Sequence, residues 1–422
     1  MGVRKIAYIT AMAPFAAGET FVLTELVALK ELGTDILIVP RNISKGIFNG
    51  KAKALAGNTL SVALFDVRVI KEFLSYFILH PTSLLEILRD IAFNARSLKI
   101  AVKNLAVLPK GLYLSRVFQA KAIAHIHAHW ASTTATMAYI ISKVTGIPWS
   151  FTAHRWDIAE NNILKQKCQT ASFVRAISAQ GKSEIIEIVR NKNLSEKIFL
   201  IHMGVRIPRK KTVLFEGTEI FVVLCPANFV EVKGHRYLFE ACRILSERNV
   251  KFKCLVAGSG RLEEELRRYV SDLNLNGYVE FMGRLPQETL LDLYDKEKIH
   301  TVVLPSIVTD DGEKEGIPVS LVEAMAYGIP VISTETGGIP ELIGDGSGIM
   351  VEEKNSEAIA EAIEKLMTDS AYYHSLSKRG REKIGKKYDE CLISDHLLGL
   401  FIKNGTKRNR EDRASGACSR EI

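Results

Sequence analysis

Short apolar segments alternate with amphipathic helical segments along most of this chain. In the first half, Lys5–Thr10 and Asp35–Pro40 read as strands on either side of a helix over Thr20–Leu32. The same order resumes in the second half with a strand at Phe221–Cys225 and a helix at Arg236–Glu247. Strands that alternate with helices form parallel sheets covered by helices on both faces. The pattern therefore predicts an α/β fold with two doubly wound, Rossmann-like halves.

The length of 422 residues also favours two domains, because single domains usually run to about 100–200 residues. Pro208–Gly217 is polar and basic and is interpreted as the linker. We expect one domain over 1–206 and another over 207–387, with a helix at about 388–402 packing back on the first. Residues 403–422 are predicted to be a disordered basic tail. Ligands of open α/β sheets bind at the carboxyl ends of the strands, so the two domains are expected to face each other across a cleft.

Cysteine usage and hydropathy predict a cytoplasmic protein. The six cysteines are widely spaced and form no Cys-x-x-Cys pair, which argues against a zinc ribbon or a disulfide framework. The uncharged apolar stretch Phe73–Leu85 is shorter than the roughly 20 residues of a membrane span. The apolar run at the N-terminus is too short for a signal peptide.

The charge is unevenly distributed along the chain. Residues 1–205 hold 25 Lys and Arg against 13 Asp and Glu, whereas residues 206–402 hold 25 against 32. Many of the first half's cations lie in an apolar, helical region over 67–120. These helices could simply have solvated faces, or they could hold the protein against anionic lipid at the inner face of the membrane. Nucleic acid is a poorer partner, because no recognised binding motif is present.

The densest chemical signal lies between Glu315 and Pro330. Two glutamates, Glu315 and Glu323, lie eight positions apart around a Gly-Ile-Pro turn, with Pro318 at the expected first helical position. The free N–H groups at the start of this helix favour phosphate or sugar oxygens. A second turn, with two glycines that allow close backbone approach to a ligand, follows at Thr334–Glu341.

This region resembles the donor-site signature of the retaining GT-B glycosyltransferases of group 1 type, which carry two glutamates separated by seven residues. Further segments match the family in order and spacing, and the resemblance is strong over about residues 220–390. These segments are Glu231–Gly234, Val256–Gly260, Phe281–Gly283 and Leu304–Ser306.

The resemblance implies a role for each matching residue. Glu323 would bind the ribose hydroxyls, Glu315 would face the donor sugar, and Lys233 would neutralise the diphosphate. A lysine and a helix N-terminus can stabilise the charge on a departing nucleoside diphosphate without a metal. The backbone amides expected to line the sugar and phosphate are those of Gly316, Ile317 and Val319.

The chain departs from the family at one position. Many relatives have an arginine five residues before the lysine, where this chain has Asn228. One diphosphate contact is therefore expected to be weaker, or to come from Arg236 or Arg284. Gly283 lies in the loop that commonly packs against the base, and it is included with Asn228 and Arg284 among the expected donor-binding residues.

The first half carries weaker signals. Gly18 lies in a loop that resembles one closing over the donor phosphates in a subgroup of the family. His154 matches the strand-end histidine that reaches the reaction centre. His125, His127 and His129 alternate and would share one strand face, which invites a zinc hypothesis. No carboxylate or cysteine partner stands at suitable spacing, so no metal site is predicted.

The resemblance implies a metal-independent glycosyltransferase that moves a sugar from a UDP- or GDP-sugar to an acceptor hydroxyl, with retention of configuration. Its acceptor would be a sugar or a lipid-linked sugar in polysaccharide or glycolipid synthesis, and no cofactor is expected. Two alternatives stay open: a nucleotide-sugar epimerase of the same fold, and a non-catalytic nucleotide-sugar-binding module.

Overall fold

A computed structural model describes residues 5–14, 19–43, 50–209, 220–296 and 298–406. The chain divides into two units, one comprising Met1–His202 with Cys391–Ile422 and the other Met203–Glu390. This division falls a few residues before the expected boundary at 206/207. The reason is a short pairing in which the Val205 N–H donates to the Tyr388 carbonyl at 2.9 Å and the Glu390 N–H to the Val205 carbonyl at 3.1 Å. Most of the predicted linker, Pro208–Gly217, lies outside the described residues.

The first unit contains a parallel six-stranded sheet in the order β2-β1-β3-β4-β5-β6. The predicted alternation of strand and helix is confirmed, and all but the last strand are entirely buried, as expected for a sheet covered on both faces. The strands are β1 Ile6–Thr10, β2 Ile36–Pro40, β3 His125–His129, β4 Trp149–Ala153, β5 Phe173–Ala176 and β6 Ile198–Leu200.

Ten helices of the first unit connect or flank these strands in the described residues before 203. The basic apolar region forms three of them, and side chains of Asp66 and Ser97 cap two of the three by accepting backbone N–H groups. The helices are α1 Thr20–Glu31, α2 Gly50–Ala56, α3 Val67–Leu79, α4 Pro81–Asn94, α5 Leu98–Ala120, α6 Thr133–Thr145, α7 Arg155–Glu160, α8 Leu164–Thr170, α9 Ala179–Val189 and α10 Lys192–Ser195.

The second unit repeats this architecture with a six-stranded parallel sheet in the order β12-β11-β10-β7-β8-β9. The inner strands are short runs of Val, Leu and Ile that are buried in one continuous core. The strands are β7 Phe221–Pro226, β8 Phe252–Ala257, β9 Val279–Gly283, β10 Thr301–Leu304, β11 Val331–Thr334 and β12 Ile349–Val351.

Helices cover both faces of this second sheet. Their amphipathic pattern is clear in α11, where Leu238, Cys242 and Leu245 recur at helical spacing and are fully buried. The helices are α11 His235–Glu247, α12 Glu263–Asp272, α13 Gln287–Asp295, α14 Val319–Ala326, α15 Ile339–Ile343, α16 Ser356–Thr368 and α17 Ser370–Lys387.

The last helix, α18 Glu390–Thr406, packs on the first unit. Its side chains Ile393 and Leu397 share a buried cluster with Ile6 and Tyr8 of β1. The helix continues to Thr406, so the first residues of the predicted tail are helical rather than disordered, and residues 407–422 lie outside the described part. Within that described part, every helix is too short or too polar to cross a membrane.

Candidate functional site

The strand order of the second sheet changes direction between β7 and β10. From β7 the chain builds outward through β8 and β9, and then returns to place β10 on the other side of β7. Such a switch point leaves a crevice at the carboxyl ends of the two strands, where ligands of open α/β sheets bind. Lys233 follows β7 and Glu315 follows β10, so the topology brings these two predicted site residues to the same edge.

The side chains of Lys233 and Glu315 are in direct contact. The Lys233 ammonium donates a hydrogen bond to Oε2 of Glu315, and the Ser306 hydroxyl lies 3.5 Å from the same oxygen. Both charged side chains are mostly buried, with 19% of Lys233 and 15% of Glu315 exposed. The pair therefore places one cation and one carboxylate, joined but still reachable, at the switch point.

Gly234 allows the turn that carries Lys233, which we call the lysine turn, to approach the segment that follows strand β10. Gly234 has φ +62°, and a Cβ atom there would lie 1.9 Å from the carbonyl oxygen of Pro305. The Ile307 N–H also donates to the Val232 carbonyl at 3.0 Å. Only glycine accommodates both this backbone conformation and this approach. The lysine turn is thus held against the residues that lead to Glu315.

The two-glycine turn predicted from the sequence supports Glu315 from the other side. Gly337 has φ +58°, and a Cβ atom there would lie 1.8 Å from the Glu315 carbonyl oxygen. The Gly338 N–H donates to that same carbonyl at 3.2 Å. The turn therefore fixes the backbone of the glutamate, in addition to any contact it makes with a ligand.

Substitution of Gly337 should disturb this arrangement. Gly337→Ala should lower the free energy of unfolding by about 1–3 kcal/mol, because the methyl group meets the Glu315 carbonyl and the backbone angle disfavours any side chain. Gly277→Ala is the matched control, since no atom lies within 4 Å of its Cβ position. Urea unfolding of both variants measures the difference, and equal changes would contradict the proposed contact.

Glu323 occupies the buried face of α14. Only 7% of it is exposed, and the Gln287 side-chain amide donates a hydrogen bond to its Oε1. Pro318 is the residue before the helix rather than the expected first helical residue, and its carbonyl accepts from the Leu321 N–H at 3.1 Å. The half-buried residues Gly316, Ile317 and Val319 precede or begin this helix, whose first N–H groups lack intrahelical partners.

Asn228 and Gly283 lie in loops at the same edge of the sheet. Asn228 is exposed in the loop after β7. Gly258 begins the loop after β8, and a Cβ atom there would lie 1.9 Å from the carbonyl oxygen of Ala227 in the first loop. The Gly258 N–H donates at 2.9 Å to the carbonyl of Gly283, which ends β9 with φ +67°. Arg284 follows and is exposed. The loops after β7, β8 and β9 are therefore mutually bonded through their backbones.

Arg236 and Arg284 are the two arginines that could substitute for the one that many relatives carry at position 228, and Arg236 is engaged elsewhere. Its guanidinium lies 3.5 Å from the Glu265 carboxylate and 4.6 Å from the ring centre of Tyr269. Both partners belong to α12. In this structure Arg236 therefore supports helix packing, and Arg284 is the better placed of the two, because it directly follows the bonded loop at Gly283.

In the first unit, His154 follows β4 and contacts a second histidine. Its Nε2 lies 2.8 Å from Nε2 of His129 at the end of the neighbouring strand β3. The Asp157 carboxylate accepts the backbone N–H of His154 at 3.2 Å and that of Ala131 at 2.9 Å. Burial raises the pKa of Asp157 to about 7, and burial lowers the pKa of both histidines well below the ordinary value.

The hydrogen bonds around His129 define the tautomers of the histidine pair. Tyr8 donates its hydroxyl proton to Glu25, whose other oxygen accepts from Arg175. Nδ1 of His129 therefore faces two acceptors, the Tyr8 oxygen at 3.3 Å and Glu25 Oε1 at 3.8 Å, and carries the proton. Its Nε2 is then an acceptor, so His154 donates from Nε2 and keeps Nδ1 as an acceptor.

The three alternating histidines share one face of β3, as the sequence predicts, and their ring nitrogens contact protein groups, except for the buried Nδ1 of His125, which has no hydrogen-bond partner in the described part of the chain. His125 and His127 both hydrogen-bond with the Ser150 hydroxyl at 2.8 Å, and His127 also with Thr152 at 2.9 Å. Among the residues with described positions, no cluster of three or more potential ligands is arranged to hold a metal ion.

Gly18 lies outside the described residues, but its neighbour Glu19 has an evident role. The Glu19 carboxylate accepts the backbone N–H groups of Met12 and Ala13 at 2.6 Å each, together with the indole N–H of Trp130. This carboxylate therefore joins the loop after β1 to the end of β3, which is the strand-order switch point of the first sheet.

Several of these residues were not predicted from the sequence. Glu25 lies on the apolar stripe of α1, between Val22 and Leu29, and Arg175 interrupts the apolar strand β5. A charged residue at an otherwise buried position is a signal that could have identified both. Gln287 carries no such signal, because a glutamine near the start of a helix is unremarkable until the fold brings it to Glu323.

Residues 207–383 match the family described as "Glycosyl transferases group 1". This matched segment contains the predicted donor-side residues, from Asn228 and Lys233 to Glu315 and Glu323.

Curated relatives of the chain include bacterial glycosyltransferases. The chain is 36% identical over 212 residues to WcaL of Escherichia coli K12, a glycosyltransferase assigned by name to colanic acid biosynthesis. It is 34% identical over 209 residues to the amylovoran biosynthesis glycosyltransferase AmsK of Erwinia amylovora. Each match covers 49% of this chain and 51% of the relative. The chain spans about half the length of these curated relatives.

Solved structures resemble the chain over nearly its whole length. HepE of Anabaena in complex with UDP has a TM-score of 0.69 and 16% identity, covering 94% of this chain and 100% of that one. At this identity the likeness shows the fold alone, namely two parallel-sheet, Rossmann-like domains of GT-B type. The predicted fold class is confirmed.

Proposed function

We propose that the protein is a glycosyltransferase that moves a sugar from a nucleoside diphosphate sugar to an acceptor hydroxyl. The observation that carries this proposal is the contact between Lys233 and Glu315 at the strand-order switch point of the second sheet. A lone buried ion pair would be a structural feature, but this one stays partly exposed beside the start of α14. A cation and helix N–H groups at one place suit a diphosphate.

The arrangement supports a simple mechanism for donor activation. When the sugar–phosphate bond breaks, negative charge builds on the departing diphosphate. Lys233 can donate to that charge, and the N–H groups at Ile317 and Val319 can stabilise it, together with that of Gly316, which in this structure donates to Oε1 of Glu315 at 3.2 Å. Because Glu315 already orients the ammonium, the lysine need not be ordered at the moment of reaction. Ser306 holds the glutamate in turn.

Glu323 has a different proposed task. It is buried within α14 and accepts from Gln287, and we assign its carboxylate to the ribose hydroxyls of the donor. The two glutamates would thus not act as the acid and nucleophile of a glycosidase. Retention of configuration rests on the resemblance of Glu315–Glu341 to the retaining family. In the first unit we keep His154 as the residue proposed to take part in transfer.

The names of the relatives suggest the biological setting. WcaL and AmsK are named for exopolysaccharide synthesis, and HepE was solved with UDP. A UDP- or GDP-sugar donor and a sugar or lipid-linked sugar acceptor, in polysaccharide or glycolipid synthesis, are therefore proposed for this chain. A cytoplasmic location with the basic first half against anionic lipid completes this proposal.

Transfer should not require a metal ion. Lys233 and the start of α14 supply the positive charge, while the Asp311 carboxylate accepts from Thr309 and the Glu313 N–H within its own loop. Donor hydrolysis or transfer should therefore change less than about twofold in excess chelator. Complete loss on chelation with rescue by Mg²⁺ or Mn²⁺ would reject this part of the proposal, and a known metal-dependent transferase in the same buffer is the control.

A panel of nucleotide sugars tests the function as a whole. Thermal unfolding of the full chain should shift upward with one donor class, because a ligand that binds only the folded state stabilises it. The same donor should then be consumed when candidate acceptors are added. Release of a rearranged sugar without an acceptor would support an epimerase, and binding without turnover would support a non-catalytic module.

A further inference from the structure

We infer that the turn between α3 and α4 is a membrane-inserting element, formed by the exposed side chains of Phe77, Ile78, Leu79 and Leu85. These four residues are the apolar tip. Their exposed fractions are 57%, 73%, 67% and 67%. The inference rests on the lipid contact of the proposed function and makes it more specific. It assigns that contact to uncharged apolar side chains rather than to the basic faces of the helices over 67–120.

The apolar tip lies within a stretch that carries no formal charge. Residues 73–85 contain no Asp, Glu, Lys or Arg. Fully exposed leucine and phenylalanine side chains are ordinary when scattered singly, whereas a contiguous group on adjoining helix ends marks an interaction surface. These side chains are not needed for the core, since Leu84 and Ile87 supply the buried contacts of α4.

The turn between α3 and α4 is a single residue whose own backbone N–H and carbonyl are both hydrogen-bonded. His80 is the only residue between α3 and α4, its N–H donates to the Tyr76 carbonyl at 2.9 Å, and its carbonyl accepts from Leu84 at 3.0 Å. Pro81 begins α4 and has no N–H. Entry into an apolar medium is costly mainly for unpaired backbone groups. The turn meets this requirement better than an open loop would.

The polar side chains at the turn also bond to one another. The hydroxyls of Tyr76 and Ser83 lie 2.9 Å apart. The rings of Tyr76 and His80 are tilted by 42° to each other, with their centres 4.9 Å apart. A protein partner would usually be met by polar groups around an apolar centre. Here Tyr76 and Ser83 are half-buried and bond to each other, while His80 and Thr82 are exposed beside the apolar tip. The whole stretch over 73–85 lacks Asp, Glu, Lys and Arg, which favours lipid as the occupant.

The charges flanking the apolar tip suit an anionic bilayer surface. Lys71 and Arg89 are exposed on either side of it. Two nearby acidic groups are paired: Glu72 with Arg116 at 3.0 Å, and Asp90 with Lys143. A third, Glu86, is 60% exposed and lies 4.0 Å from the ammonium of Lys143. An apolar face with Lys and Arg at its margin is the usual composition of an element that lies in the membrane interface, buried by about 5–10 Å.

Vesicle co-sedimentation of the full chain tests this inference with two matched variants. L79S/L85S removes two leucines from the apolar tip, whereas L98S/L105S removes two exposed leucines from α5. On vesicles of phosphatidylglycerol and phosphatidylcholine, the first variant should bind about tenfold more weakly and the second within about twofold of the unsubstituted protein. At high salt the unsubstituted protein should keep a binding component that L79S/L85S lacks, because apolar insertion is not screened.

Other outcomes would overturn the inference. One is an equal loss of vesicle binding in the two variants, and another is no vesicle binding by the unsubstituted protein. A third is a dimer, detected by light scattering, that L79S/L85S disrupts while vesicle binding persists. The last would assign the apolar tip to a second copy of the chain. Nucleotide binding measured without vesicles should be unchanged in both variants, so failure of the lipid contact is distinguishable from failure of the proposed transferase.

Discussion

Lys233→Met should lower kcat for sugar transfer by about 10²–10³. Methionine keeps most of the aliphatic chain but removes the ammonium that Glu315 holds at the switch point. Removal of a single group that stabilises transition-state charge typically costs this much. Steady-state kinetics with the full donor would measure the effect once the donor is known, and Lys233→Arg should retain more activity because it keeps the charge.

The controls for this prediction separate chemistry from folding. Lys296→Ala removes an exposed lysine of the same unit that pairs with Asp292 within its own helix turn, and it should leave kcat unchanged. Loss of Lys233 also leaves Glu315 without its partner, so thermal unfolding of every variant is needed. A well-folded Lys233→Met protein with normal turnover would show that the diphosphate charge is stabilised elsewhere.

The two glutamates should respond differently to the same substitution. Glu323→Gln should weaken binding of the donor and of the free nucleoside diphosphate alike, by about one to two decades. The expected contact is a charge-assisted hydrogen bond worth about 1.5–3 kcal/mol, made equally before and during transfer. Its effect should therefore fall mainly on KM.

Glu315→Gln should instead depress kcat while leaving nucleoside diphosphate binding nearly intact, because the proposed contact is to the sugar, whose charge and shape change during transfer. Glu361→Gln alters an exposed glutamate of α16 in the same unit and serves as the control for both. Loss of diphosphate binding in Glu315→Gln but not in Glu323→Gln would reverse the assignment.

The sequence anticipated the second unit better than the first. Lys233 and Glu315 are 82 positions apart, but each lies in the segment that follows an apolar strand, and the carboxyl ends of neighbouring parallel strands meet at one edge. Their contact therefore follows from the strand–helix alternation together with the motif. The two-glycine turn at Thr334–Glu341 was predicted to approach a ligand, whereas Gly337 approaches the carbonyl of Glu315. The close approach of Gly234 to Pro305 was not predicted.

The polar network of the first unit could not be read from local pattern. Glu25 and Arg175 are 150 positions apart, and neither belongs to a motif. Their pairing is a tertiary contact between side chains of α1 and β5, which no local pattern specifies. The position of Pro318 was also missed by one residue, because helix ends depend on backbone hydrogen bonds that the sequence does not specify. Gly18 lies outside the described residues, so its role stays a prediction.

Calorimetric titration of the full chain with UDP, GDP and ADP is the most direct test of the donor site. The account predicts that at least one of these diphosphates binds to a single site without added metal. Its affinity should fall at least tenfold in Lys233→Met and in Glu323→Gln and stay within about twofold in Glu315→Gln and Lys296→Ala. Absence of binding by all three diphosphates, or binding that neither Lys233→Met nor Glu323→Gln weakens, would contradict the assignment of this edge of the second sheet as the donor site.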